Sequence, residues 1–282
     1  MSLAVVTRFA PSPTGYLHLG HAYAALYAQK LARKMGGRFI LRIEDIDKAR
    51  CKAEFEEAIY EDLKWLGLKW EEPVRRQSEH LADYADVLNK LSNLNLTYPC
   101  FCTRKEIKAE IERAGGAPHN SEKTVYPGTC KQLCNAERMR RMQEGEAYAI
   151  RLDITKALEI TGALSWHDQR SGSQTAKLDN FGDFILARKD IPTSYHLSVT
   201  VDDAIQNVTL VTRGKDLAES TAIHRLLQSL LGYEVPQYYH HKIITNNDGQ
   251  RLAKRDQANT LRSLRAGGKK PKDIWAMIGI EN

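Results

Sequence analysis

Between Arg8 and His21 the chain leaves an apolar stretch, passes Pro11, Pro13 and Gly15, and reaches two histidines that bracket Gly20. Residues 3–9 are apolar enough for a buried strand, and the Pro- and Gly-containing break at 10–15 turns the chain out of it. Residues 18–35 carry helical signals and stop at Gly36-Gly37. Phe39-Ile40-Leu41 then resumes as a strand and runs into Glu44-Asp45-Ile46-Asp47. Strand, helix and strand in that order predict a right-handed parallel unit of a doubly wound α/β sheet. The segment also carries chemistry. A helix N-terminus offers unpaired N–H groups and the positive end of a dipole, which suit a phosphate. Gly20 leaves room for a flat base against the backbone, and His18 and His21 can donate to an α-phosphate as charge builds on it. Alone, two histidines at this spacing would share a helix face or bind a metal; the stiff loop before them argues for a nucleotide.

Further along, Phe55, Ile59, Leu63 and Leu66 predict a second amphipathic helix and residues 81–94 a third. Residues 98–143 change character, with Cys, Gly, Pro and many charges but little periodicity, and read as an inserted module. Strands are expected around 147–154 and 163–167. After Phe181 the α/β pattern returns with a strand at 208–212 and a helix opened by Asp216 that ends at Gly232. A strand at 238–244 follows, ending in Asn246-Asn247-Asp248-Gly249. The expected division is thus 1–97 and 181–260 as two halves of one catalytic domain, 98–180 as an inserted subdomain, and 261–282 as a short basic tail.

Composition narrows the class. The 282 residues are 42% hydrophobic and 27% charged, which suits a water-soluble globular protein. Residues 1–10 lack a charged segment followed by an apolar run, and no stretch approaches the ~20 apolar residues of a membrane-spanning helix. A cytoplasmic monomer without membrane contact is expected. Lys and Arg number 41 against 35 Asp and Glu, and the net +6 favours a polyanionic partner. Cys51, Cys100, Cys102, Cys130 and Cys134 are an odd set, which argues against a disulfide framework and for a metal site. Three clustered cysteines leave one position of a tetrahedral zinc site open, thiolates holding the ion at ~2.3 Å. Cys134 and His119 are chemically conventional candidates for it.

The wording from Arg8 to His21 resembles the ATP-binding signature of class I aminoacyl-tRNA synthetases, in the glutamyl and glutaminyl branch. The resemblance extends over nearly the whole chain and implies a Rossmann-like doubly wound parallel sheet with an inserted zinc-bearing subdomain. It implies that His18, Gly20, His21 and Lys254 bind ATP with Mg²⁺, and that His18, His21 and Lys254 spread the charge of the reacting phosphate. Lys254 lies in Arg251-Leu252-Ala253-Lys254-Arg255, similar to the KMSKS signature. Leu252 stands there for Met, Ala253 and Arg255 for the serines, and Arg251 for the first lysine.

For the amino acid, the resemblance implies Arg8, Ala10, Ser12, Glu44, Tyr195 and Arg213. A dicarboxylate with one ammonium needs cations for two carboxylates, which Arg8 and Arg213 can supply, and an anion for its amine, which Glu44 can supply. Which arginine takes which carboxylate is open. As ligands of a structural zinc the resemblance implies Cys100, Cys102, Tyr126 and Cys130, the ion's charge lowering the phenol's pKa.

Too few residues follow Lys254 for an anticodon-reading domain. That length and the Cys-x-Cys…Tyr-x-x-x-Cys arrangement resemble the bacterial glutamyl-queuosine tRNA(Asp) synthetases. The resemblance implies activation of L-glutamate as an adenylate and transfer to queuosine at the wobble position of the tRNA(Asp) anticodon stem-loop. The rivals are a truncated glutamyl-tRNA synthetase and a non-catalytic RNA-binding paralogue.

Overall fold

The computed structural model describes residues 4–113, 125–178, 181–244 and 260–280. Its first part contains β1 (Val6–Phe9), α1 (Leu19–Lys34), β2 (Arg38–Ile43), α2 (Ala53–Trp65), β3 (Glu71–Arg76) and α3 (Leu81–Asn93). Next come β4 (Thr97–Cys100), α4 (Arg104–Arg113), α5 (Asn135–Gln143), β5 (Ala149–Leu152), α6 (Ile154–Thr161), β6 (Ser165–Asp168) and β7 (Gly172–Thr175). The remainder is β8 (Ile185–Ala187), α7 (Tyr195–Ile205), β9 (Leu210–Gly214), α8 (Thr221–Leu231), β10 (Gln237–His241), α9 (Leu261–Ala266) and α10 (Pro271–Ile278).

The expected strand–helix–strand unit forms, with β1 parallel to β2 from Val6 opposite Arg38 to Phe9 opposite Leu41. β3 joins β2, also parallel. In the second half β9, β10 and β6 are parallel, with β7 added antiparallel. The two groups meet where Thr209 N–H donates to the Val6 carbonyl at 3.1 Å and Val6 N–H to Thr209 Oγ1 at 2.9 Å. The strand order therefore changes direction between β1 and β9, the place at which open α/β sheets bind ligands. A separate antiparallel sheet, β4-β5-β8, carries Cys100 at the end of β4.

Several elements differ from the expectation for physical reasons. β3 holds two glutamates, two arginines and a proline, an edge-strand composition that hides it among loops. α5 buries none of its residues, so it has no apolar stripe to find; Arg140 braces it through Glu137 and Glu144. The helix expected at Asp216 starts at Thr221, and β10 stops at His241. The segment expected as a basic tail forms α9 and α10, whose Leu261, Ile274 and Ile278 are buried against α1 and α2. Strand membership also crosses the expected boundaries: β6 pairs with β10, and β8 with β5.

The two halves are locked by charge. Arg42 on β2 is 0% exposed and meets Asp203 at 2.8 Å, Glu44 at 3.5 Å and Asp202 at 3.7 Å. Arg8 on β1 takes Asp203 from the other side at 3.0 Å, and Arg75 on β3 takes Asp202 at 2.8 Å. Burial works to raise the Asp203 carboxyl, but Arg8 and Arg42 hold it below the ordinary range. Removing one member of such a buried set leaves an uncompensated charge. Asp203→Asn should therefore lower stability by about 3–5 kcal/mol in urea titrations. Glu71→Gln, which breaks the exposed Arg38–Glu71 pair, should cost under about 1 kcal/mol.

Candidate active site

α1 begins with His18 as its cap. His18 Nδ1 accepts from Gly20 N–H at 3.0 Å, and His18 N–H donates to His21 Nδ1 at 3.2 Å. With both Nδ1 atoms accepting, each neutral ring carries its proton on Nε2 as a donor. A Cβ on Gly20 would lie 2.9 Å from the His18 ring, so the missing side chain first of all lets that ring fold over the helix end. His18, Gly20 and His21 border a crevice of about 170 Å³ with Gly214, Lys242 and Ile244. Lys254 lies outside the described residues. The chain that leads into its segment ends at Ile244 on this crevice, and the chain that leaves it begins at Thr260, bridged to His18. Leu261 N–H then donates to the Leu17 carbonyl at 2.7 Å.

A larger cavity of about 850 Å³ is bordered by Ser12, Glu44 and Tyr195. Arg8, Ala10 and Arg213 do not border it. Burial pushes the Glu44 carboxyl up to about 7 against the pull of Arg42 and Arg8. The two arginines expected to bind carboxylates differ sharply. Arg8 is committed to Asp203 and to the Thr212 carbonyl. Arg213, 5% exposed, donates to Thr221 Oγ1 at 2.6 Å, His224 Nδ1 at 3.0 Å and His240 Nε2 at 3.2 Å. No carboxylate among the described residues pairs with it. Buried cations are ordinarily paired, so this one has the character of a carboxylate receptor.

The same cavity is also bordered by Arg104, Tyr126, Arg151 and Arg188. Behind Tyr126 the sulfurs of Cys100, Cys102 and Cys130 lie within 4.8 Å of one another. Tyr126 Oη is 3.6 Å from Cys102 Sγ and accepts from Cys130 N–H at 2.8 Å. Cys134 is exposed at the start of α5 and outside this group, and His119 is outside the described residues. Three thiols converging on one point are a donor set that could hold a metal ion, with the Tyr126 phenol beside them. Burial pushes the Cys102 thiol up to about 12 and raises the Tyr126 phenol, so ligation needs the ion's charge to release their protons.

Sequence reasoning missed Asp202, Asp203, His196, His224, His240 and Asp168. The Asp-Asp pair did leave a signal, two adjacent acids closing an apolar run, which demand cations once the run is buried. The histidines carried no such signal, because ordinary strand and helix positions hold them.

The family model described as "tRNA synthetases class I (E and Q), catalytic domain" matches residues 4–279. A glutamyl-Q tRNA(Asp) synthetase of Rhodobacter capsulatus is 47% identical over 282 residues, 98% of this chain and 100% of the relative. A glutamate–tRNA ligase of Aquifex aeolicus is 40% identical over 273 residues, covering 96% of this chain but 56% of the relative. Among solved structures, a glutamate tRNA ligase from Elizabethkingia meningosepticum, in complex with its amino acid, matches at a TM-score of 0.77. That match is 31% identical over 90% of this chain and 52% of the other. The chain thus spans about half the length of these two ligases and the full length of the Rhodobacter relative. It belongs to the class I tRNA synthetases of the glutamate and glutamine branch, whose catalytic domain it matches from Ala4 to Gly279.

Proposed function

We propose that the chain activates L-glutamate with ATP and transfers the glutamyl group to queuosine at the wobble position of tRNA(Asp). The observation that carries this reading is the match, over its full length, to a relative named glutamyl-Q tRNA(Asp) synthetase. The geometry supports the first step. Glu44 is the anion for the substrate ammonium, and Arg213, held by neutral acceptors, is the cation for a carboxylate. Ser12 and Tyr195 border the same cavity as Glu44, while Arg8, Ala10 and Arg213 would act from behind its wall.

In this reading the ATP phosphates, with their Mg²⁺, lie over the start of α1, where His18 and His21 offer Nε2–H donors. Glutamate's α-carboxylate attacks the α-phosphate in line, and pyrophosphate leaves. The protein positions the groups and spreads charge, Lys254 included, and supplies no nucleophile of its own. A queuosine hydroxyl then attacks the adenylate carbonyl and AMP departs. Zinc at Cys100, Cys102, Tyr126 and Cys130 would fix the insertion beside the cavity. We keep the division into 1–97, 98–180, 181–260 and 261–282 as a functional partition, in a cytoplasmic monomer that touches no membrane. A truncated glutamyl-tRNA synthetase remains the rival at the second step.

Four measurements test this. Glutamate-dependent ATP–pyrophosphate exchange should run without tRNA and fall on the order of 10² to 10³-fold in Arg213→Ala, as loss of a buried charge partner does. Radiolabelled glutamate should then appear on tRNA(Asp) that contains queuosine; label on the terminal adenosine of tRNA(Glu) would replace this reading with the rival. Next, Glu44 titrates near 7 and binds ammonium only when ionised. The glutamate KM should therefore rise about tenfold for each unit that the pH drops below that value. Glu44→Gln should show a high KM with no such slope. Last, metal analysis should find one zinc per chain, and Cys102→Ser should lose it along with thermal stability.

A further inference from the structure

Resting on the glutamate-activating reading above, the hydrogen bonds around Arg213 identify the group that tells a carboxylate from an amide. They start from a residue with no choice. A guanidinium has donors only, so His224 Nδ1, 3.0 Å away, accepts. A neutral imidazole that accepts at Nδ1 carries its proton on Nε2. His224 Nε2 lies 3.2 Å from His196 Nδ1, which accepts in turn. The His196 proton is thereby fixed on Nε2. Both rings are neutral, because burial and then the Arg213 charge hold His224 far below its ordinary value and His196 down to about 4.

The relay is anchored from its other end. Asp168 accepts from His240 Nδ1–H at 2.6 Å, which turns the His240 Nε2 lone pair toward Arg213 Nε–H at 3.2 Å. Thr221 Oγ1 takes the remaining guanidinium nitrogen. An ordinary histidine adapts to its ligand by moving its proton to the other nitrogen. His196 cannot: a proton on its Nδ1 would force one onto His224 Nδ1, against an Arg213 N–H. His196 borders the 850 Å³ cavity beside Tyr195, and its Nε2 has no partner among the described residues.

We propose that His196 is a specificity-determining residue whose locked Nε2–H donates to a carboxylate oxygen of bound glutamate and meets the amide NH₂ of glutamine donor against donor. Asp168, His240 and His224 are positioning residues in this scheme: they keep Arg213 and His196 as donors and touch no substrate.

Exchange kinetics with both amino acids test it. His196→Gln presents an amide that turns to offer either oxygen or nitrogen. In that variant the ratio of kcat/KM for glutamate over glutamine should fall at least tenfold, chiefly through KM. His224→Gln, which frees the His196 tautomer, should lower the ratio in the same direction. An unchanged ratio, or parallel losses for the two amino acids, overturns the proposal. If neither variant folds, ¹⁵N-histidine NMR of the intact wild-type protein decides: His196 protonated on Nε2 is expected, and the Nδ1 tautomer or a mixture refutes the relay. A wild-type protein that activates no amino acid would instead remove the underlying reading, and the tautomer measurement separates the two failures.

Discussion

Arg42 holds a permanent positive charge in a place without water, and the arrangement of the catalytic core follows from keeping that charge compensated. An isolated buried ion costs several kcal/mol even after relaxation. Here compensation comes from Asp202 and Asp203, which α7 brings across from the second half of the chain. Those acids are in turn held by Arg8 and Arg75, so β1, β2 and β3 all depend on one turn of one helix. Glu44 stands farther from Arg42 than Asp203 does and gets a smaller share of its field. The carboxylate left least compensated is the one that faces the cavity. The same network that joins the halves thus leaves Glu44 in need of a cation.

The fold was legible where burial is one-sided and the chain's periodicity records it. The β1–α1–β2 unit, α2 and α3 were readable because each buries a regular set of apolar residues. α7 was not, since Tyr195 to Ile205 is rich in β-branched residues and buried on most of its faces, which erases helical periodicity. α5 failed for the opposite reason, having no buried face at all. In the site, Arg8, Glu44, Tyr195 and Arg213 were named from a resemblance, and Ser12, Glu44 and Tyr195 share one cavity. The unequal state of the two arginines was beyond reach, because it depends on which acids and histidines tertiary structure brings alongside. Lys254 is outside the described residues, while its flanking anchors, Ile244 and Thr260, lie at the His18 crevice.

The insertion is tied to the pocket through Arg151. Its guanidinium stacks 3.7 Å over the Tyr126 ring and donates to the Asp183 carbonyl at 2.6 Å, and both Arg151 and Asp183 border the cavity. Tyr98 donates to Asp183 Oδ2 from β4, two residues before Cys100. A disturbance at the sulfur cluster therefore reaches the cavity wall through a short run of direct contacts.

The burial of the arginine–aspartate network also sets how the protein responds to dissolved ions. Screening acts over a Debye length of roughly 8–10 Å in ordinary buffer and weakens charges that face water far more than those enclosed by protein. Arg42, Asp202 and Asp203 are enclosed, whereas Lys269, Lys270 and Lys272 near the end of the chain lie at the surface. Electrolyte therefore acts unevenly on the molecule. It fades the outer basic field with which the chain would greet a polyanion and leaves the interior charge pattern nearly as it was.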